Sequence, residues 1–220
     1  VGPRYSETRP YVVNNSAVSP NTYRPFMRNF GVSIGQAVNK LHMEAGVLNG
    51  TGSSPTNSID TNGSKDYYAS MDYDFGKGFA AGALGYKGRG LIMPSSGPSW
   101  ENNFHRYGGF AQWRGGKFEF TGVATRGQEQ LTVSRLRAHN LGVLGEVDFI
   151  ASDKLVLWGR YDYFDPNVSK VGDQLSGPVV GATYQFFDAG RIAVEYHKQG
   201  RYVAVGAKPW EYRVEVAFMF

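Results

Sequence analysis

Apolar and polar side chains alternate along most of the chain. From Trp210 to Phe220 every second position is apolar or aromatic, and most of the positions between them are polar. Successive side chains of a β-strand point to opposite faces, so a two-residue period predicts a strand with one apolar and one polar face. The sequence therefore predicts a strand here and wherever the same period recurs.

The period recurs in segments joined alternately by short and long connections. The predicted strands are 27–37, 41–48, 66–75, 79–86, 104–113, 117–125, 140–151, 155–163, 178–187, 192–198 and 210–220. The short connections contain Gly, Asp, Asn and Lys, which favour tight turns. The long ones, 50–64, 88–103, 126–139, 165–177 and 199–209, are rich in Ser, Gly, Pro and Asn. Short turns at one end and long loops at the other are typical of outer-membrane β-barrels.

Two all-β folds agree with this alternation, a soluble sandwich and a transmembrane β-barrel. A sandwich buries its apolar faces in a protein core, whereas a transmembrane barrel exposes them to lipid. Dyad segments that continue through nearly the whole chain and close on the aromatic Phe220 favour the barrel. The predicted fold class is all-β, an antiparallel transmembrane β-barrel with about 11–12 strands. It forms a single domain, residues 1–220, in which residues 1–26 are irregular or loop.

Aromatic residues concentrate at the two ends of the predicted strands. Amphipathic rings favour the membrane–water interface, and outer-membrane barrels carry a girdle of them at each interface. A soluble β-protein has no physical reason to sort its aromatic residues into two bands. The predicted girdles contain Tyr67, Phe75, Tyr107, Trp113, Tyr163, Trp210 and Phe220.

Composition narrows the chemistry of the chain. Mean hydropathy is only −0.37, and no apolar run approaches the length of about 20 residues that a spanning helix needs. The absence of Cys excludes disulfides, thiolate metal sites and the Cys-x-x-Cys-His haem attachment motif. The net charge of +4 comes from scattered basic residues, which disfavours nucleic acid as a partner. No cofactor is predicted.

The polar face of the strands is predicted to be an acid-rich inner wall. Rings of charge in a narrow bore decide which ions cross. An alternative is that acids and bases pair across neighbouring strands and hold the wall together, as Arg160 would with Glu146, and Arg213 with Glu195. The candidate selectivity residues are the bases Arg106, Lys117, Arg160 and Arg213 and the acids Glu44, Asp72, Glu146 and Glu195.

Basic residues are predicted to gather in the long loops at the outer mouth. A positive mouth would raise the local concentration of anions. Alternatively, these side chains bind phosphates of lipopolysaccharide or keep the loops solvated. The candidate mouth residues are Arg89, Arg126, Arg135 and Arg137.

Catalytic and metal-binding patterns are weak. The sequence has no Gly-x-Ser-x-Gly, and serine chemistry needs a nucleophile, a base and an orienting acid. His42 with Glu44, and His197 with Glu195, share a strand face and could serve a metal or a general base. Hydrogen-bonded elements of the wall are the simpler interpretation. The prediction is that the protein is not an enzyme and has no catalytic residue and no metal site.

Short motifs in the first part of the chain resemble a porin family. They are Glu7-Thr8-Arg9-Pro10, the run Arg28 to Gly35, the run Gly46 to Gly50, and Asp60, Asn62, Lys65 and Asp66. Together they resemble the later part of the phosphate-selective porin O and P family of outer-membrane porins. The resemblance implies a barrel of about sixteen strands, commonly trimeric, that passes small hydrophilic or anionic solutes passively.

The odd number of predicted strands bears on whether the barrel is complete. Single-chain bacterial barrels have an even number of strands and both termini at the periplasm. Either residues 9–18 supply a twelfth strand, which Pro10 makes awkward, or the chain is the C-terminal portion of a larger barrel. The second alternative is the one we expect.

Two function classes follow for a barrel in the bacterial cell outer membrane. The first is a passive diffusion channel. The second is a scaffolding barrel that holds a partner protein, such as an electron-transfer cytochrome, in or on its bore. Expected partners are outer-membrane lipid and lipopolysaccharide, further copies in a homotrimer, or a partner protein in a larger complex, but no nucleic acid. Crowding of the bore separates the two classes, since several inner residues are bulky: Phe110, Leu144, Val156, Trp158 and Met219.

Overall fold

The computed structural model describes residues 31–49, 64–92, 98, 100–130, 136–172, 174–187, 190–198 and 210–218. Their regular elements are eleven strands: β1 (Gly31–Val38), β2 (Leu41–Asn49), β3 (Lys65–Gly76), β4 (Phe79–Ile92), β5 (Trp100–Gly115), β6 (Phe118–Gln130), β7 (Arg137–Ser152), β8 (Leu155–Asp165), β9 (Leu175–Phe187), β10 (Gly190–Lys198) and β11 (Trp210–Phe218). Every strand predicted from the two-residue period is confirmed. Residues 1–30, which include the first motif of the resemblance and residues 9–18, lie outside the described part.

The strands form one antiparallel meander in which each pairs with its neighbours in sequence, from β1 to β11. Within the described sheet β1 and β11 are the two edges, and they do not pair with each other. The described strands therefore form a continuous stretch of barrel-type wall, with β1 and β11 as its edges.

Two-residue turns join the strands at one end of the sheet. The turn between β3 and β4 consists of Lys77 and Gly78, whose φ angles are 52° and 77°. Type I′ hairpin turns need positive φ at both central residues, and their twist matches that of the flanking strands. The connections at the opposite end are longer, such as that between β8 and β9. The predicted asymmetry of turns and loops is confirmed, and it places the two-residue turns at the periplasmic end.

Several strands extend farther toward the outer end than the sequence predicts. β4 continues to Ile92 instead of stopping at residue 86, β5 begins at Trp100, and β6 continues to Gln130. The long loops predicted at 88–103 and 126–139 are therefore largely strand. Both faces carry many polar residues at this end, among them Lys87 and Arg89 outward and Asn102 and Glu129 inward, so the regular hydrophobic alternation is lost although the hydrogen-bonded ladder continues.

The two faces of the sheet have opposite polarity. Along β7 the burial pattern alternates strictly from Arg137 to Asp148 between exposed or half-buried and buried positions. The exposed face carries large apolar side chains, among them Val143, Val147, Leu157 and Val180. The buried face carries charged and polar groups together with Leu144, Val156 and Trp158. This is the reverse of a soluble protein and is the arrangement expected of strands whose apolar face contacts lipid.

Candidate functional site

The periplasmic girdle contains two groups of contacting rings on the outward, apolar face. The ring of Phe75 lies 5.3 Å from that of Phe79, and the rings of Trp113 and Phe120 are 5.5 Å apart. Phe118 extends the second group, with its ring 6.4 Å from that of Phe120 and 5.1 Å from that of Phe149. These side chains lie beside the two-residue turns, where rings at headgroup depth anchor a barrel.

The structure places some of the residues predicted for the outer girdle. Tyr67 and Tyr107 are outward and more than half exposed, while Tyr163 is half-buried on the same face. Trp210 begins β11, and Phe220 lies outside the described residues. Tyr86, near the outer end of β4, points to the inner face, because it follows the parity of the buried Gly88.

Three charged side chains form the centre of the inner wall between β7 and β8. Arg160 lies opposite Glu146 in the ladder, with its Nη1 3.6 Å from the Oε2 of Glu146. Its Nε lies 2.9 Å from the Oδ1 of Asp162. All three side chains are at most 1% exposed. The cross-strand pair predicted for Arg160 and Glu146 is present, and Asp162 makes it a triad.

Asp148 and Trp158 extend this buried centre toward the periplasmic end. They lie opposite each other in the β7–β8 ladder, and both are at most 4% exposed. The Oδ1 atom of Asp148 and the indole nitrogen of Trp158 make no hydrogen bond to any described residue. Gly181 faces the indole ring so closely that an added Cβ would collide with it. The inner wall is therefore tightly packed here as well as charged.

A second buried cluster lies on the inner face nearer the outer end. Arg106 of β5 pairs with Glu129 of β6, and the amide of Asn140 on β7 donates to the same carboxylate at 3.2 Å. The guanidinium of Arg106 also lies 4.7 Å from the ring centroid of Phe104, within the range of a cation–π contact. The cluster ties three strands together.

Asp66 fixes the outer end of β4. Its carboxylate accepts a hydrogen bond from the Tyr86 hydroxyl at 2.6 Å and another from the backbone N–H of Arg89 at 3.0 Å. Asp66 is fully buried, and a Cβ at Gly88 would collide with it. The β3–β4 ladder ends at the pair of Tyr67 and Lys87. Because position 88 is glycine, the Asp66 carboxylate has room to accept the Arg89 N–H in place of a backbone carbonyl of β3.

Inner-face charges on β2 and β3 are more accessible. Glu44 accepts a hydrogen bond from the Tyr68 hydroxyl. His42 Nδ1 lies 2.9 Å from Asp72 Oδ2, and these two side chains are 54% and 36% exposed. The pair joins the neighbouring strands β2 and β3. His42 is therefore a hydrogen-bonded element of the wall, as predicted, but its partner is Asp72 and not Glu44.

The other candidate selectivity residues are Glu195, Arg213 and Lys117. Glu195 is 1% exposed, and it lies opposite Arg213 in the β10–β11 ladder, as the predicted pairing requires. Lys117 lies in the turn between β5 and β6, exposed, with its Nζ 3.5 Å from the Ala151 carbonyl oxygen. The structure therefore brings Arg160 and Glu146 together but leaves Lys117 at the rim.

The predicted loop placement is wrong for three of the four mouth residues. Arg89 lies in β4, Arg126 in β6 and Arg137 in β7. All three are exposed and share the outward face with Tyr67 and Tyr107, because the strands run on beyond the apolar band and keep their parity. Arg135 lies outside the described residues.

Sequence reasoning missed two inner-face ion pairs. Glu129, the partner of Arg106, was assigned to a loop because the predicted strand stopped at residue 125. Arg114, which pairs with Glu119 across the periplasmic turn, was assigned to that turn. Both residues lie just beyond the predicted end of a strand. Extending each predicted strand by a few residues with the same alternation would have placed Glu129 and Arg114 on the inner face.

None of the described residues belongs to a helix long and apolar enough to cross a membrane. The part of the chain that the structure describes also holds no group of three or more His, Asp or Glu side chains placed to bind a metal ion.

Comparison with known proteins identifies the fold. The chain matches no family model and no curated protein. The refined structure of a porin is similar with a TM-score of 0.62 at 13% identity, over 87% of this chain and 62% of that one. OmpT, an outer membrane protein of Vibrio cholerae folded in vitro, is similar with a TM-score of 0.63 at 14% identity, over 99% of this chain and 67% of that one.

This chain therefore spans less than two thirds of the length of the first structure and about two thirds of the second. At such low identity the likeness establishes the fold alone. Together with the apolar outward face and its aromatic girdles, it shows that this chain has the all-β antiparallel fold of an outer-membrane β-barrel.

Proposed function

We propose that this chain forms part of the wall of an outer-membrane porin, a passive diffusion channel for small hydrophilic or anionic solutes. The observation that supports the proposal is the polarity of the sheet, with apolar residues such as Val143 outward and charged residues such as Glu146 inward. A barrel wall of this kind encloses a polar interior within lipid. Passive diffusion requires no reaction, so the proposal includes no catalytic residue.

We further propose that additional strands complete the barrel between β11 and β1, as in a C-terminal portion of a larger porin. Open sheet edges do not occur in the hydrocarbon region, because each unsatisfied backbone group costs several kcal/mol there. Closure by further strands removes both edges. The mass of the intact polypeptide, measured after purification from membranes, tests this proposal, and about half as much chain again is expected, since this chain covers 67% of the OmpT structure.

Membership of the phosphate-selective porin O and P family is the finer form of the proposal. Its support is the run Gly46 to Gly50, which begins within β2 and follows that strand to its outer end, together with the other short motifs. Competition of phosphate with chloride for the open channel tests it. A channel that conducts chloride equally well with and without added phosphate would leave only a general porin.

Single-channel conductance of the full-length protein in planar bilayers tests the channel itself. We expect steps of one stable size. Charge reversal of Arg106 or Arg160 is a poor probe of selectivity, since both side chains are buried in ion pairs. Removal of the accessible inner acids is a better one.

A homotrimer is proposed as the assembly. The resemblance implies it, and small residues on the outward face of β2 to β4, including Ala45, Ala69 and Ala83, line a depression of about 640 Å³ in which a neighbouring barrel could fit. Native mass spectrometry of the protein in detergent measures the state directly, and three copies are expected.

A scaffolding barrel is the second candidate, and one observation favours it. Leu144, Val156 and Trp158 place bulky side chains on the inner face, and a crowded bore would suit a barrel that holds a partner better than one that passes solutes. The same bilayer recording separates the two functions. A folded full-length protein that gives no steps at micromolar concentration would favour the scaffold over the channel.

A further inference from the structure

The outward face changes character at its outer end. From the periplasmic girdle up to Tyr67 and Tyr107, the outward positions of β3 to β7 carry apolar, aromatic or glycine residues. Among the described residues of β3 to β7, charge appears on this face only near the outer ends of the strands. It consists of five cations and one acid: Lys65, Lys87, Arg89, Arg126, Arg137 and Glu101.

These cations lie at the depth of the lipid headgroups. Lys87 sits in one row of the sheet between Tyr67 on β3 and His105 on β5. Tyrosine at a barrel interface marks the headgroup level, so Lys87 is at that level. Arg89, two residues farther along β4, is about 7 Å beyond it. Because the side chains point away from the bore, they face the surrounding membrane rather than the solute path.

A cleft collects the nearest of these groups. It has a volume of about 530 Å³ and is lined by Ser64, Lys65, Tyr67, Lys87, Gly88, Arg89 and Asn103. Lys87 makes no ion pair with a described residue. An ammonium group in such a cleft is available to an anion.

The arginine of the cleft is held in place. Its Nε donates to the Asn103 side-chain oxygen at 2.9 Å, and its Nη1 lies 3.6 Å from the Glu101 carboxylate. Its backbone is fixed from below by the buried carboxylate of Asp66. A guanidinium positioned in this way presents a planar fork of donors, which matches the oxygens of a phosphate group.

We propose that this cleft binds the phosphate groups of the glycolipid in the outer leaflet, the lipid A part of lipopolysaccharide. The ligand is a phosphorylated sugar headgroup with acyl chains. Its phosphates pair with Lys65, Lys87 and Arg89, its sugar packs on the Tyr67 ring, and its acyl chains lie along the apolar band below. The site depends on the membrane orientation of the sheet and not on whether the bore conducts.

The test compares binding of lipid A carrying two, one or no phosphates to the full-length protein in detergent, followed by native mass spectrometry. Lys65→Gln, Lys87→Gln and Arg89→Gln are combined in one variant. Removing three cations that face an anionic headgroup is expected to weaken binding of bisphosphorylated lipid A roughly tenfold or more. Dephosphorylated lipid A is expected to bind both proteins weakly and equally.

The matched control removes three exposed cations from the periplasmic turns, Lys40→Gln, Lys77→Gln and Lys154→Gln. It changes net charge by the same amount and is expected to bind lipid A like the parent protein. Lys87→Gln alone, with retained strand content by circular dichroism, replaces the triple variant if that variant does not fold, and a weaker but measurable loss is expected.

Three results would overturn the site. They are equal affinity of the cleft variant and the parent, an equal loss in the turn control, and binding of inorganic phosphate as tight as that of bisphosphorylated lipid A. Failure of the porin proposal is distinguishable, because a barrel that never conducts can still bind phosphorylated lipid A through its outward face.

Discussion

The inner faces of β5 to β8 and of β1 to β3 are both polar, yet they differ in access. In the first region Arg160 and Glu146 are at most 1% exposed and are joined across strands. In the second, every residue of β1 is exposed, and the His42 side chain is 54% exposed. A charged residue of the wall can thus either stabilise the fold or interact with solutes in the bore. Burial decides between these roles, because a buried charge must be paired.

The difference divides the charges of the wall into two groups with separate consequences. Removing one member of a buried pair leaves its partner uncompensated in a region of low dielectric constant. Removing an exposed charge costs little stability, because water screens it. Substitutions in the two regions should therefore change different observables, unfolding free energy in one and ion selectivity in the other.

Arg160→Met is expected to have the largest effect. It leaves Glu146 and Asp162 buried without their shared cation, which should lower the free energy of unfolding by about 3–5 kcal/mol. Denaturant titration of the protein in lipid vesicles measures this change. Arg114→Met is the matched control, since its side chain is 60% exposed beside Glu119, and a loss below about 1 kcal/mol is expected there. Equal losses would show that burial does not separate the two classes.

The outward face offers the next largest effect. Val143 lies near the middle of β7 and is 40% exposed. If lipid covers it, Val143→Arg should lower the free energy of unfolding by about 2–4 kcal/mol, because a cation at the bilayer midplane is poorly solvated. Gln128→Arg, on the same face near the outer end, should cost no more than about 1 kcal/mol. The same titration in vesicles compares both variants, and a small cost at Val143 would place water rather than hydrocarbon beside β7.

Alanine substitutions at two inner-face glycines compare how tightly the two regions of the wall are packed. A Cβ at Gly181 would collide with Trp158 and approach the Val194 carbonyl oxygen to 2.6 Å. Gly181→Ala is therefore expected to lower the free energy of unfolding by about 1–3 kcal/mol through overpacking. At Gly35 on β1 the nearest atom would be 3.5 Å away, an ordinary contact, so Gly35→Ala should stay within about 0.5 kcal/mol of the parent. A tolerated alanine at Gly181 would mean that the packing around Trp158 can yield.

The strands follow from the sequence because lipid and a polar interior impose a strict two-residue period. Their outer ends do not. Beyond the apolar band, residues such as Lys87 and Arg89 are polar on the outward face while Asp66 and Glu129 are polar on the inner one, so the alternation ends before the strands do. The pairing of Arg160 with Glu146 could be predicted, since both belong to strands joined by a two-residue turn. The pairing of Arg106 with Glu129 required knowing that β6 continues to Gln130, which the polarity pattern does not indicate although the parity of β6 agrees with the pairing.

The smallest effect on stability, and the sharpest test of access, comes from Glu44→Gln combined with Asp72→Asn. Both residues lie on the accessible part of the inner face, and removing their negative charge should make the bore less attractive to cations. The reversal potential in a salt gradient across a planar bilayer is therefore expected to shift toward that of anions, with little change in unfolding. Glu101→Gln removes an acid from the outward face and should leave the reversal potential unchanged. If that control shifts it equally, the charges act through the overall field of the protein, and the distinction between accessible and buried wall loses its functional meaning.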